Sequence, residues 1–150
     1  MKNSKFVYVT YIATTPEKVF QALTEGPITR QYWGHENVSD WKPGSAWKHR
    51  AADGSEAVRL VGVVVECTPP RRLVLTWAVP EDQANEAKHT RVSFDIERIG
   101  KMVRLTVTHD DLELDSDMDK GIREGWPRVL SSLKTFLETG TPLDTWAGKK

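Results

Sequence analysis

Residues 88–110 read KHTRVSFDIERIGKMVRLTVTHD and carry the strongest structural pattern in the chain. Apolar and polar side chains alternate on both sides of Gly100, which predicts antiparallel strands at 88–98 and 101–110, joined at Ile99 and Gly100. One face of this hairpin is apolar and the other polar, so a second layer must cover the apolar face. The residues of the apolar face are Val92, Phe94, Ile96, Val103, Leu105 and Val107.

A long amphipathic helix near the C-terminal end of the chain supplies the cover. Its pattern follows the acidic stretch 110–119, whose carboxylates we interpret as partners of the helix N-terminal dipole rather than as a partner-binding patch, and it ends at Gly140. Gly121, Gly125 and Pro127 each destabilise a helix interior. They predict either a broken first turn or a close, bent approach to the sheet. The apolar face comprises Met118, Ile122, Trp126, Val129, Leu130, Leu133, Phe136 and Leu137.

The remaining elements complete an α+β pattern. An opening strand at 5–13 precedes two short helices at 16–24 and 28–33. Further strands are predicted at 56–67 and 72–79, on either side of a turn at two consecutive prolines.

The chain shows no internal repeat or linker, so we expect one domain spanning residues 1–150, with residues 141–150 as a loose tail. Its 21 basic and 21 acidic side chains give zero net charge, which argues against a nucleic-acid partner. No apolar run of about 18 residues is present to cross a membrane. A lone cysteine, Cys67, excludes an internal disulfide and favours a cytoplasmic location; we interpret it as a space-filling residue.

Motifs for catalysis, metal binding or cofactor binding are missing. The sequence has no nucleophile elbow, zinc-protease helix, phosphate-binding loop or dinucleotide fingerprint, and its four histidines lack metal-site spacing. We therefore expect no metal and no cofactor. Acid–base chemistry has only isolated candidates, which are His49, His109, Glu66 and Asp95.

Several stretches resemble the bacterial proteins similar to the activator of heat-shock protein 90 (Hsp90) ATPase, within the START or Bet v 1-like (SRPBCC) superfamily. They are VYVTYIATTPEKVFQALT at 7–24, YWG at 32–34, DWKPGS at 40–45, PPRRLVLTW at 69–77, LTVTH at 105–109 and GWPRVLSSLK at 125–134. The resemblance implies the helix-grip fold, a curved antiparallel sheet of six or seven strands around the last helix. It also implies a cavity between sheet and helix that holds a small apolar molecule.

Pairings of the predicted hairpins suggest which side chains face that cavity. Phe94 is expected opposite Leu105, Thr90 opposite His109, and Val63 opposite Trp77. Trp47 and His49 share a strand face, and Trp126 points from the helix. The predicted ligand-binding residues are Trp47, His49, Val63, Trp77, Phe94, His109, Trp126 and Leu130.

Each assignment has a structural alternative. Trp47, Trp77 and Trp126 are also compatible with simple packing in the core. Trp33 and Trp41 suit either an entrance rim or a surface anchor. Trp146 suits docking on the body, docking on a second copy, or exposure to solvent. We expect a non-catalytic domain that binds a small hydrophobic or aromatic ligand. The alternatives are a cyclase- or aromatase-like enzyme using His49 or His109, and a co-chaperone or interaction domain. A homodimer remains open, and a chaperone partner is the least supported because the sequence resembles only one domain of the eukaryotic activator.

Overall fold

The computed structural model describes residues 4–145 and shows an α+β fold. Seven strands form one antiparallel sheet in the order β1-β7-β6-β5-β4-β3-β2, and the long helix α3 packs against its inner face. This arrangement is the predicted helix grip. The strands are β1 Ser4–Ile12, β2 His35–Val38, β3 Ala46–Ala51, β4 Val58–Thr68, β5 Arg72–Trp77, β6 Thr90–Ile99 and β7 Met102–Leu112. The helices are α1 Pro16–Thr24, α2 Gly26–Trp33 and α3 Asp117–Thr139.

The β6–β7 hairpin forms with a register two residues away from the predicted one. Phe94 lies opposite Val107 rather than Leu105, because the chain turns at Gly100 and Lys101. Gly100 has φ 61°, which glycine adopts without steric penalty in a two-residue hairpin turn. Because side chains alternate with a period of two, this shift leaves the predicted apolar face buried.

Strand β4 contradicts the prediction for Val63. The predicted register holds next to the turn, but it shifts by one residue between Val64 and Glu66. A one-residue shift exchanges the two faces of a strand. Val63 and Val65 are therefore 41% and 39% exposed on the outer face, whereas Val64 is fully buried. The placement of Val63 in the interior was wrong.

Helix α3 runs unbroken from Asp117 to Thr139 through Pro127. The Ser116 hydroxyl accepts a hydrogen bond from the Asp119 N–H and caps its start. Neither predicted reason for its glycines holds. The first turn is intact, and a Cβ placed on Gly121 or Gly125 would meet no heavy atom within 4 Å.

No helix within residues 4–145 combines the length and apolarity needed to cross a membrane. Trp146, for which the sequence left docking or solvent exposure open, lies outside the described residues, as does the end of the predicted tail.

Candidate ligand-binding cavity

A cavity of about 610 Å³ opens beside the first half of α3. Its other walls come mainly from the segment between β5 and β6 and from the end of β7 with the turn that follows it. This volume falls within the range of roughly 300–1,000 Å³ that small-molecule pockets occupy. The aliphatic side chains of the wall are Leu60, Val79, Ala87, Met118, Ile122 and Val129.

Three tryptophans, which we call the tryptophan floor, close the inner end of the cavity. They are Trp33 of α2, Trp77 of β5 and Trp126 of α3. Their ring centroids lie 5.3 Å apart for Trp77 and Trp126, 5.7 Å for Trp33 and Trp126, and 6.4 Å for Trp33 and Trp77. The rings therefore touch one another and also line an open space.

Trp47 supports the tryptophan floor from behind. Its indole N–H donates to the Thr76 carbonyl oxygen at 2.8 Å, and its ring lies 5.2 Å from that of Trp77. A glycine opposite Trp77 makes this possible: a Cβ on Gly62 would lie 2.4 Å from Trp47 Nε1 and 1.9 Å from the Thr76 oxygen. The strand leaves out one side chain so that a large ring can lie on its backbone.

His109 ties two tryptophans of the floor together through a chain of hydrogen bonds. Trp126 Nε1–H donates to His109 Nδ1 at 3.1 Å, and since an indole nitrogen is only a donor, Nδ1 carries no proton. His109 Nε2–H then donates to Thr90 Oγ1 at 2.7 Å, and the Thr90 hydroxyl donates to the Trp77 carbonyl at 2.8 Å. Burial lowers the pKa of His109 to about 3, against a smaller opposing effect of Asp119. Both ring nitrogens are engaged inside the protein.

His49 lies on the far side of the tryptophan floor. The Asn37 amide nitrogen donates to the Leu23 carbonyl at 2.9 Å, which turns the amide oxygen towards His49 Nδ1, 2.7 Å away. His49 Nδ1 therefore carries the proton in this contact. Burial, with a contribution from His35, lowers the pKa of His49 to about 3. The imidazole also packs on Trp33, with centroids 4.5 Å apart, so it positions that ring.

Only two of the eight predicted residues, Trp77 and Trp126, line the cavity. Five others are buried behind or beside it: Trp47, His49, Phe94, His109 and Leu130. Val63 lies on the opposite face of the sheet. Trp33, assigned from sequence to a rim or a surface anchor, belongs to the tryptophan floor.

Gly121 and Gly125, which stood out in the sequence as destabilising residues inside a helix, form part of the cavity wall. They lie one helical turn apart, and both line the cavity. Because a Cβ at either position would meet nothing within 4 Å, neither is required for packing. A glycine inside a helix lowers stability by about 1 kcal/mol relative to alanine. Their structural effect is to widen the cavity.

Polar residues surround the mouth of the cavity. Five carboxylates, which we call the acidic rim, line it together with one lysine, Lys88. Asp111 has φ 58°, a left-handed conformation that is uncommon outside glycine. It lies where β7 carries an extra residue relative to β1. The members of the acidic rim are Glu81, Asp82, Asp111, Glu113 and Asp117.

The other candidate reactive groups do not join the cavity lining. Within residues 4–145, no cluster of three or more His, Cys, Asp or Glu side chains is placed to hold a metal ion. Cys67 lies near the end of β4, and burial raises the pKa of its thiol. Glu66 and Asp95 both pair with Arg72 on the sheet.

Solved structures of similar fold cover most of the chain. The Aha1 dimer from Colwellia psychrerythraea, solved in solution, is 24% identical with a TM-score of 0.74, over 91% of this chain and 98% of that one. An HSP90 activator from Plasmodium falciparum is 21% identical with a TM-score of 0.72, over 89% and 95%. CalU16 from Micromonospora echinospora is 19% identical with a TM-score of 0.69, over 91% and 77%. At these identities the similarity concerns the fold.

No curated protein matches the chain. A sequence model of one family does match, over residues 13–138, a span that contains α1, α2, strands β2 to β7 and nearly all of α3. Its description is Activator of Hsp90 ATPase homolog 1-like protein. The match covers most of the chain and includes every residue of the tryptophan floor and the acidic rim. The chain therefore belongs to the family of Activator of Hsp90 ATPase homolog 1-like proteins.

Proposed function

We propose that this protein binds a small, largely apolar or aromatic molecule in the cavity beside α3, without catalysing its conversion. The observation that carries the proposal is the pair Gly121 and Gly125. Alanine at either position would stabilise the helix and clash with nothing. Glycine there has no packing benefit, and the space it leaves is part of the cavity. Natural proteins accept such local destabilisation at functional sites.

The composition of the wall supports an aromatic guest. Flat rings on the tryptophan floor offer stacking surface, and the surrounding aliphatic side chains exclude water. The imidazole of His109, which is bonded to Trp126, has both nitrogens bound to other residues. It is therefore suited to holding Trp126 and Trp77 in place rather than to proton transfer with a bound molecule.

Titration with N-phenylnaphthylamine, an uncharged fluorescent aromatic, tests the proposal. We expect saturable binding that enhances probe emission and quenches tryptophan emission, because Trp33, Trp77 and Trp126 lie at the inner end of the cavity. The Gly125→Leu variant places a side chain in the cavity and should weaken binding at least about tenfold, which corresponds to about 1.4 kcal/mol.

Lys120→Leu is the matched control, because it adds the same side chain to an exposed position on the same helix outside the cavity lining. It should bind the probe as the wild type does. Equal binding by wild type and Gly125→Leu would place the probe elsewhere and contradict the proposal, as would the absence of saturable binding for the wild type.

Self-association is a second candidate property, favoured by the outer face of β1. Val7, Val9 and Tyr11 are each nearly half exposed there, on the edge strand of the sheet, and one similar structure is described as a dimer. We propose that two copies meet through this face. Light scattering after size exclusion should show a dimer that Val9→Lys converts to a monomer. Val63→Lys, at a similarly exposed valine of β4, is the control, and a monomeric wild type would contradict the idea.

A further inference from the structure

The mouth of the cavity carries a strong charge imbalance in a chain of zero net charge. The five carboxylates of the acidic rim face a single lysine, Lys88. Within residues 4–145, none of the five carboxylates takes part in an ion pair. Their charge exceeds that of Lys88, is not held in ion pairs among the described residues, and acts on whatever enters the cavity.

The N-terminus of α3 affects the electrostatic field at this mouth, because it carries positive partial charge. The N-terminus of α3 lies here and contributes about half a positive charge. That contribution is small beside five carboxylates, and the Ser116 hydroxyl and the Asp119 carboxylate already satisfy backbone N–H groups at this end. The field at the mouth is therefore negative.

The inner end of the cavity favours the same sign of charge. The faces of tryptophan rings attract cations through their quadrupole, most strongly among the aromatic side chains. The tryptophan floor thus offers three such rings below a negatively charged mouth. An anionic ligand would meet repulsion at the rim and no compensating attraction from the rings.

We propose, building on the proposed function, that the ligand is an amine-bearing or otherwise cationic aromatic molecule. Its rings stack on part of the tryptophan floor, and its positive group lies between the floor and the acidic rim, where both attract it. A neutral aromatic of the same shape gains the stacking alone, and an anionic one is disfavoured. Charge at the mouth then separates molecules that the apolar wall cannot distinguish.

Three naphthalene probes of nearly equal shape test this assignment: naphthylmethylamine, naphthylmethanol and naphthoate. Binding is measured by tryptophan quenching near neutral pH, at low salt and again at about 0.3 M salt, where the Debye length falls below about 10 Å. We expect the amine to bind about tenfold more tightly than the alcohol at low salt, with naphthoate weakest. Added salt should lower the affinity for the amine and leave the affinity for the alcohol unchanged.

Removal of charge from the acidic rim gives an independent readout. The double variant Glu81→Gln, Glu113→Gln should lower the affinity for the amine about threefold or more without changing that for the alcohol. Both side chains are exposed, so the fold is expected to persist, which circular dichroism checks. The matched control is Glu17→Gln, Glu97→Gln, two exposed carboxylates outside the cavity lining; it should preserve the preference for the amine.

The possible results separate the two proposals. If the alcohol binds and the amine binds no better, or if the rim variant keeps the full preference for the amine, the charge assignment is wrong while the cavity remains a ligand site. If naphthoate binds most tightly, the assignment is likewise overturned. If none of the three probes binds, the proposed function and this inference both fail.

Discussion

Trp126 donates its indole N–H to Nδ1 of His109 across 3.1 Å. This contact joins α3 to β7, and it fixes the imidazole as the tautomer protonated at Nε2. Protonation at Nδ1 would place two donors against each other, so the contact and the charged form of His109 exclude one another. The helix is thereby attached to the sheet through a neutral histidine.

Acid should destabilise the fold through its two buried histidines. The pKa values of His49 and His109 are about 3 in the folded protein, against 6.5 for an unperturbed histidine. Between those values the unfolded chain binds more protons than the folded protein does. The contribution of the two histidines to stability is therefore complete above pH 6.5 and falls as the pH drops towards 3. The slope should reach at most about 1.4 kcal/mol per pH unit for each histidine. Urea unfolding at a series of pH values measures it, and constant stability from pH 6.5 downwards would contradict the prediction.

Trp126→Phe should release His109 Nδ1 from its donor. We expect a loss of about 1–3 kcal/mol in unfolding free energy, since the buried acceptor loses its partner. The pKa of His109 should rise at the same time, because Nδ1 becomes free to take a proton. Nuclear magnetic resonance titration of the imidazole separates this effect from simple loss of packing. Trp33→Phe, which trims a neighbouring ring without a hydrogen bond to His109, should leave that pKa unchanged.

Gly62→Ala should be among the most damaging single-methyl changes in the chain. The added carbon would lie 1.9 Å from the backbone oxygen of Thr76 and 2.4 Å from Trp47 Nε1. A backbone oxygen within a sheet has little room to move, so we expect a loss of about 3 kcal/mol or more, or failure to fold. Urea unfolding measures it. Wild-type stability would show that β4 and β5 can separate locally.

Gly121→Ala combined with Gly125→Ala should have opposite effects on stability and binding. We expect the pair to raise the free energy of unfolding by roughly 1–2 kcal/mol, because each alanine favours the helix by about 0.5–1 kcal/mol. N-phenylnaphthylamine should bind more weakly, since two methyl groups enter the cavity. Thermal unfolding and probe titration on the same sample check both parts. A gain in stability with unchanged affinity would remove the main support for the proposed function.

Alternation and helical periodicity were sufficient to predict the sheet, the covering helix and their order. They were not sufficient to predict which side chains of β4 face inwards, because that depends on where one extra residue enters the strand. The valines around Val64 are chemically equivalent, so composition gives no sign of the position of the shift. The same one-residue ambiguity placed Val63 in the interior and omitted Leu60, which lines the cavity.

The cavity itself was only partly predictable. Trp77 and Trp126 follow from periodicity, but the acidic rim comes from the connection between β5 and β6 and from the junction of β7 with α3, whose positions depend on tertiary packing. Asp111 enters through a left-handed residue at an irregular point in β7, which alternation does not predict. Gly121 and Gly125 did stand out in the sequence as costly residues, but the open space beside them is visible only in the structure.

The tryptophan floor also makes the formation of the cavity depend on the order in which the protein assembles. Its three rings come from α2, β5 and α3, elements far apart in the chain, so no partly folded form with α3 detached contains the floor. A guest resting on all three rings would hold α3 closed against the sheet. Unfolding that begins with detachment of α3 would therefore have to break the contacts of the guest as well.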